Sequence, residues 1–114
     1  MKVRDILDML ECGIEAGASG LENEVKGGYA SDLLSDVIAH AREGDVWVTV
    51  QAHQNIIAVA TLVGLGAVVV AGGVECEPES IRRADEEGIP LLRTRLPAFD
   101  VVGRLYAAGV RGRT

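Results

Sequence analysis

Three short β-branched or aliphatic runs, VWVTV (46–50), AVVVA (67–71) and PLLRT (90–94), recur about every 20 residues, a spacing at which strands alternate with helices. Each runs into a helical segment, at 55–64, 78–87 and 97–108. That repetition is the mark of parallel strands joined by crossover helices, and it constrains the chain more than any single motif. The units share no side-chain repeat, so the repetition is architectural. Continuous apolar strands further imply a sheet covered on both faces. Apolar residues are 48% of the chain but aromatic ones only 4%, so the core must come from Val, Leu, Ile and Ala in thin, closely packed layers. The expectation is an α/β three-layer sandwich with a mainly parallel sheet and βα units in the C-terminal two thirds. No linker or low-complexity tract divides residues 1–114, which read as a single domain.

Upstream, Val3, Ile6, Leu7 and Leu10 fall on one face of a short helix. The glycine-punctuated stretch 12–31 carries two extended candidates, near 13–16 and 24–30, able to pair or to lie along a sheet edge. Ser31 or Asp32 is expected to cap a helix whose stripe is Leu33, Leu34, Val37, Ile38 and Ala41, with Gly44 in a left-handed position after it. Pro78, with Glu77 and Glu79 around it, suits the start of the 78–87 helix. Glu79–Arg83 and Arg82–Glu86 are spaced to pair across one turn, and Gly88 ends that helix. His40 is read as a polar residue near a helix C-terminus.

The helix at 55–64, NIIAVATLVG, is apolar almost all round, with Thr61 its only interior polar residue. A helix apolar on every side must be buried on every side, and a chain of this size offers few such places. The expectation is a homodimer with this helix central or covered by the partner subunit. The alternative is a helix sandwiched between the sheet and the N-terminal helices.

Charge and motifs narrow the function. A net charge of −6 disfavours nucleic acid, which needs a cationic field. The basic tail RGRT (111–114) is read as a solvated, frayed terminus. The start MKVRDILDML lacks the apolar core of a secretory signal, and no run approaches the roughly 18 apolar residues of a membrane span, so no membrane association and a cytoplasmic location are expected. Cys12 and Cys76, far apart and outside any metal-finger spacing, read as ordinary thiols. Cys76 between Glu75 and Glu77 is expected to have its thiol pKa raised, the opposite of an activated nucleophile. His40 and His53 stand in different elements without ligand spacing, so no metal is expected. The phosphate loop G-x-x-x-x-G-K-[ST] and G-x-S-x-G are both absent, and no cofactor is expected.

In parallel sheets, ligands bind beyond the carboxyl ends of the strands. Three loops qualify: Gln51 to Asn55, AGGVECEP (71–78) and RTRLP (93–97). The first is rich in amides, the second can expose N–H groups through Gly72 and Gly73, and the third offers Arg93, Thr94 and Arg95. Gln51, His53, Asn55, Gly72, Gly73 and Thr94 are therefore the candidate ligand-binding residues, suited to a nucleotide or phosphorylated metabolite. The competing reading is that Gln54 or Asn55 caps a helix and the glycines make a turn. The ligand reading requires that all three loops meet at a single rim.

The order SDLLSDV, VTVQAHQNI, AGG…P and GIPLLRT…F resembles the DRTGG domain family over nearly the whole chain, particularly its small stand-alone members. Domains of that family occur beside CBS modules in regulated pyrophosphatases and beside phosphotransacetylases, and a related domain precedes the catalytic part of HPr kinase. The resemblance implies a regulatory or dimer-forming role without chemistry of its own. The name residues are only partly kept: AHQN (52–55) stands where Asp-Arg would be, and AGG (71–73) where Thr-Gly-Gly would be, so Gly72 and Gly73 alone carry over. The resulting expectation is a non-catalytic, homodimeric module that senses a small ligand. Its alternatives are an interaction subunit docking a partner enzyme, or a small phosphotransfer-related enzyme with His53 as general base.

Overall fold

The structure is a computed structural model and describes residues 1–113. Five strands form one sheet in the order β1-β5-β4-β3-β2: β1 is Gly13–Ala16, β2 Gly27–Ala30, β3 Asp45–Thr49, β4 Ala67–Val70 and β5 Leu91–Arg93. β2 through β5 run parallel, and β1 is antiparallel to β5 at one edge. The helices are α1 (Val3–Met9), α2 (Leu34–His40), α3 (Asn55–Val63), α4 (Pro78–Glu87) and α5 (Ala98–Ala107). Among the described residues, no helix is long and apolar enough to cross a membrane.

Strand alternation sorts the core into two halves. Trp47, Val68, Val70 and Leu91 point to one face, where Val37, Ile56, Ile57, Ala60 and Ala84 bring α2, α3 and α4 onto the sheet. Val46, Val48, Val69 and Leu92 point to the other, against Val3 and Ile6 of α1 and Val101 and Leu105 of α5. This is the expected three-layer sandwich. The strands β2, β3, β4 and β5 add in sequence order, so right-handed crossovers place α2, α3 and α4 on one side. Only the connection leaving β5 goes to the opposite face.

Several local expectations need correction. Residues 111–113 are not a frayed tail. Gly28 N–H donates to Arg111 O (3.0 Å) along the β2 edge, and Arg113 Nε donates to Asp45 Oδ1 (3.0 Å). Asp45 is 2% exposed, so the arginine supplies the countercharge that makes its burial tolerable. Gly27 is what admits this arm, because a Cβ there would lie 2.6 Å from Arg113 Nε. Thr114 lies outside the described residues. Neither Ser31 nor Asp32 occupies the N-cap of α2; Leu33 does, with Ser31 Oγ accepting from its N–H (3.2 Å). The helix ends at His40, so Gly44, at φ +84, turns the chain into β3 rather than closing α2. Glu79 pairs with Arg82 at 2.6 Å, one residue before the expected Arg83, and Arg82 also reaches Glu86.

The all-apolar helix α3 is central in its layer, between α2 and α4. Ile56, Ile57, Val59 and Ala60 are buried within the chain, yet Leu62 is 71% exposed and Ala58 and Thr61 also face outward. One chain therefore covers the inner face of this helix and leaves its outer face open.

Candidate functional site

The three loops do meet at one rim, because β3, β4 and β5 are adjacent and parallel. Hydrogen bonds stitch them together. Ala52 O, in the loop after β3, accepts from Ser80 Oγ (2.6 Å) and Glu77 N–H (3.3 Å) at the start of α4. Ser80 is fully buried, so its hydroxyl needs that partner. Gly72 N–H donates to Leu96 O (2.8 Å) and Gly73 N–H to Thr94 O (2.9 Å), joining the second loop to the third. Arg93 completes the seam, donating from Nε to Val74 O and from Nη2 to Gly73 O, both at 3.0 Å.

That seam corrects one expectation. The N–H groups of Gly72 and Gly73 are consumed inside the protein and are not offered to an anion. The glycines are there for backbone shape: their φ values are +74 and +71, a region that side chains disfavour. Between β4 and β5 the connections part to opposite faces, where a crevice opens in many parallel sheets. Here the seam closes it.

In the first loop, Gln51, His53 and Asn55 are all exposed. Asp32 sets the loop's course, since its Oδ1 accepts from Thr49 Oγ1 (2.7 Å) and Val50 N–H (2.8 Å). Gln51 Nε2 donates to Asp32 O (3.2 Å), so one end of this amide is already engaged. Neither Gln54 nor Asn55 caps α3 by its side chain; His53 Nδ1 accepts the Asn55 N–H at 3.2 Å. A neutral imidazole accepting at Nδ1 carries its proton on Nε2, which faces Glu77 Oε1 at 4.0 Å. Sequence reasoning missed Asp32 and Glu77 as partners, because the first reads as a helix cap and the second as a dipole-favoured surface charge.

Thr94 is 2% exposed and fully employed: its hydroxyl donates to Leu10 O (2.7 Å) and accepts from Leu96 N–H (3.1 Å). It anchors α1 to the third loop. Beside it, a cavity of about 430 Å³ opens between β1 and the β5–α5 turn, lined by Glu11, Glu15, Arg93, Arg95 and Pro97 among others. Arg95 is exposed and makes no ion pair among the described residues, and its Cγ would stand 3.9 Å from a Cβ at Gly73. The rim is thus electrostatically divided. Glu75, Glu77 and Glu79 make one side acidic; on the other, Arg93 faces Glu15 at 3.7 Å and Glu11 lines the same cavity, which leaves Arg95 as its cation without an ion pair among the described residues.

Both thiols are free and lie on opposite sides of the sheet, Cys76 buried in one core and Cys12 half-buried against the other. Burial pushes Cys12 up to about 12. Cys76 is pushed up to about 11, first by burial and then by the charge of Glu15, with Arg93 opposing; the flanking Glu75 and Glu77 are not the cause. At neutral pH neither is a thiolate nucleophile. Among the described residues, no three His, Cys, Asp or Glu side chains gather as a metal site.

The model of the DRTGG domain matches residues 5–108. The chain belongs to the DRTGG domain family. A solved structure of the CBS and DRTGG domains from the regulatory region of Clostridium perfringens pyrophosphatase, in complex with the activator diadenosine tetraphosphate, shares its fold at a TM-score of 0.71 and 18% identity. The match covers 91% of this chain and 45% of that one, so this DRTGG domain spans less than half of its neighbour's length. No curated protein matches it in sequence.

Proposed function

We propose that this DRTGG domain is a non-catalytic regulatory module that senses a nucleotide or phosphorylated small molecule and works as a homodimer. The observation that carries the reading is the divided rim, with exposed amide and imidazole groups at Gln51, His53 and Asn55, the shaped turn at Gly72 and Gly73, and the unpaired Arg95 beyond it. Amides suit a base or sugar, and an uncommitted guanidinium suits a phosphate. In this reading Thr94 supports the cavity floor and contributes no side-chain contact. The Clostridium perfringens region, solved with a dinucleotide activator, supports the choice of ligand class.

A catalytic reading is disfavoured by the same geometry. A general base needs an open lone pair, and the one on His53 Nδ1 is taken by the Asn55 N–H. The reading as an interaction subunit keeps one supporting observation, the exposed Phe99 and Tyr106 on α5.

Thermal unfolding with a panel of diadenosine polyphosphates, mononucleotides and acyl phosphates tests the proposal. A ligand at 100 times its dissociation constant adds about 2.7 kcal/mol, a rise of several degrees for a domain this size. Arg95→Ala is expected to reduce the rise, and His53→Ala to alter the preference among bases. No shift across the panel would overturn the sensing reading in favour of the interaction subunit.

A further inference from the structure

Asp45 is a buried carboxylate that the rim does not use. It opens β3, at the end of the strand opposite the rim, and is 2% exposed. A buried charge is costly unless its lone pairs are engaged. Both oxygens of Asp45 are engaged, and each sets the place of an arginine. Oδ2 accepts from the Arg42 N–H (2.8 Å), and the Asp45 N–H donates back to Arg42 O (3.0 Å), which fixes the backbone carrying Arg42. Oδ1 accepts from Arg113 Nε (3.0 Å), while Arg113 Nη2 donates to Glu43 O (2.8 Å).

At the end of α2 a similar device holds His40. Its Nδ1 lies 3.0 Å from Asp36 Oδ1 and 3.2 Å from Asp36 O. Both are acceptors, so Nδ1 carries the proton and Nε2 is left as the outward nitrogen. Tyr29 donates to the other oxygen of Asp36 (2.8 Å), so that carboxylate is occupied on both sides.

These groups converge on one open cavity of about 510 Å³, lined by Tyr29, Ala39, His40, Ala41, Arg42 and Arg113. No carboxylate lines it among the described residues. The neighbouring acids are already matched: Asp45 with Arg113, Asp36 with Tyr29 and His40, and Glu43 with Lys26 (2.6 Å). Arg42 is exposed, and its guanidinium makes no ion pair or hydrogen bond among the described residues. It supplies the one uncancelled charge, a planar fork suited to phosphoryl oxygens. Arg113 Nη1 and His40 Nε2 stand beside it without partners among the described residues. The Tyr29 ring, Ala39 and Ala41 add an apolar wall, and the volume exceeds that of a bare phosphate group, so the fit is to a phosphate on an organic body.

We propose that this cavity is a second ligand site, separate from the rim, which takes a phosphomonoester through Arg42, His40 and the open edge of Arg113.

Nitrogen-edited NMR on the full chain is the test, with inorganic phosphate or phenyl phosphate titrated at low salt against sodium chloride of equal ionic strength. Phenyl phosphate is expected to give saturable shifts at Tyr29 and residues 39–42, and inorganic phosphate to bind there more weakly. Arg42→Ala, at an exposed side chain, is expected to keep the dispersed spectrum and to weaken that binding about tenfold or more. Arg95→Ala, at the rim, is expected to leave it unchanged. Shifts at 39–42 that do not saturate, that sodium chloride reproduces, or that survive Arg42→Ala overturn the site. Shifts confined to 51–55 and 93–97 overturn it as well and leave the rim reading standing. Inorganic phosphate binding as tightly as phenyl phosphate overturns the phosphomonoester in favour of the free ion.

Discussion

Helices α3 and α5 invert each other's apparent character. By sequence α3 is the helix that demands covering on every side, and α5 is an ordinary amphipathic helix at the end of the chain. In the folded protein α3 lies between α2 and α4 with four residues buried, while α5 leaves its largest side chain, Phe99, almost wholly in solvent. The difference is one of position in the layer. A middle helix has flanking neighbours to cover its sides, and a helix sharing a five-stranded face with only α1 does not. All-round hydrophobicity therefore reports a helix's neighbours as much as its need for a partner.

The sharpest way to break this comparison is within α3 itself. Ile57→Ala, at a fully buried position, is expected to cost about 2–5 kcal/mol in urea unfolding. Leu62→Ala, on the same helix, is expected to stay within about 0.5 kcal/mol. A large loss at Leu62 would mean that α3 is covered by a partner after all.

Next in size is the arm that follows α5. Arg113→Ala strips Asp45 of its countercharge, and about 1–3 kcal/mol of stability is expected to go with it, less than a sealed site would lose because water can follow the arm out. Unfolding with the same midpoint as the wild type would restore the view of a solvated tail.

Smaller again is Gly103→Ala on the outer face of α5. With α5 free, the added Cβ meets nothing and the helix gains up to about 1 kcal/mol. A loss of stability in urea unfolding instead would mean that the outer face of α5 is covered.

The smallest effect tests the β2 edge, which borders both layers. Tyr29 donates to Asp36 Oδ2 (2.8 Å), and this hydrogen bond, ahead of those from Ser31 and His40, holds the Asp36 carboxyl below its ordinary range. A carboxyl lowered in the folded state contributes stability above its unfolded value, and that contribution is lost as pH falls through the lowered one. Tyr29→Phe is expected to move the Asp36 titration upward in NMR and to flatten stability across that acid window. An unmoved titration would show that the serine and histidine suffice.

Much of this was legible beforehand. The strands at 46–50, 67–71 and 90–94 and the helices after them follow from apolar runs set between proline and glycine signals, which are local properties. The rim was legible at the level of loops, since parallel adjacent strands must send their C-terminal connections to one edge. Which atoms remain open there was not. Gly72, Gly73 and Thr94 look like ligand groups in sequence, yet their hydrogen bonds go to Leu96, Thr94 and Leu10, partners that only folding brings near.

The division has a single physical reason. Periodicity, capping and turn chemistry act over a few residues, so the sequence alone determined the element order and the α/β class, and its ordered motifs pointed to the DRTGG domain family. Burial and hydrogen-bond satisfaction are shared among segments far apart in the chain, so tertiary structure alone decided that α3 is covered on its inner face only, that the tail is clasped by Asp45, and that the Phe99 side of α5 is left bare.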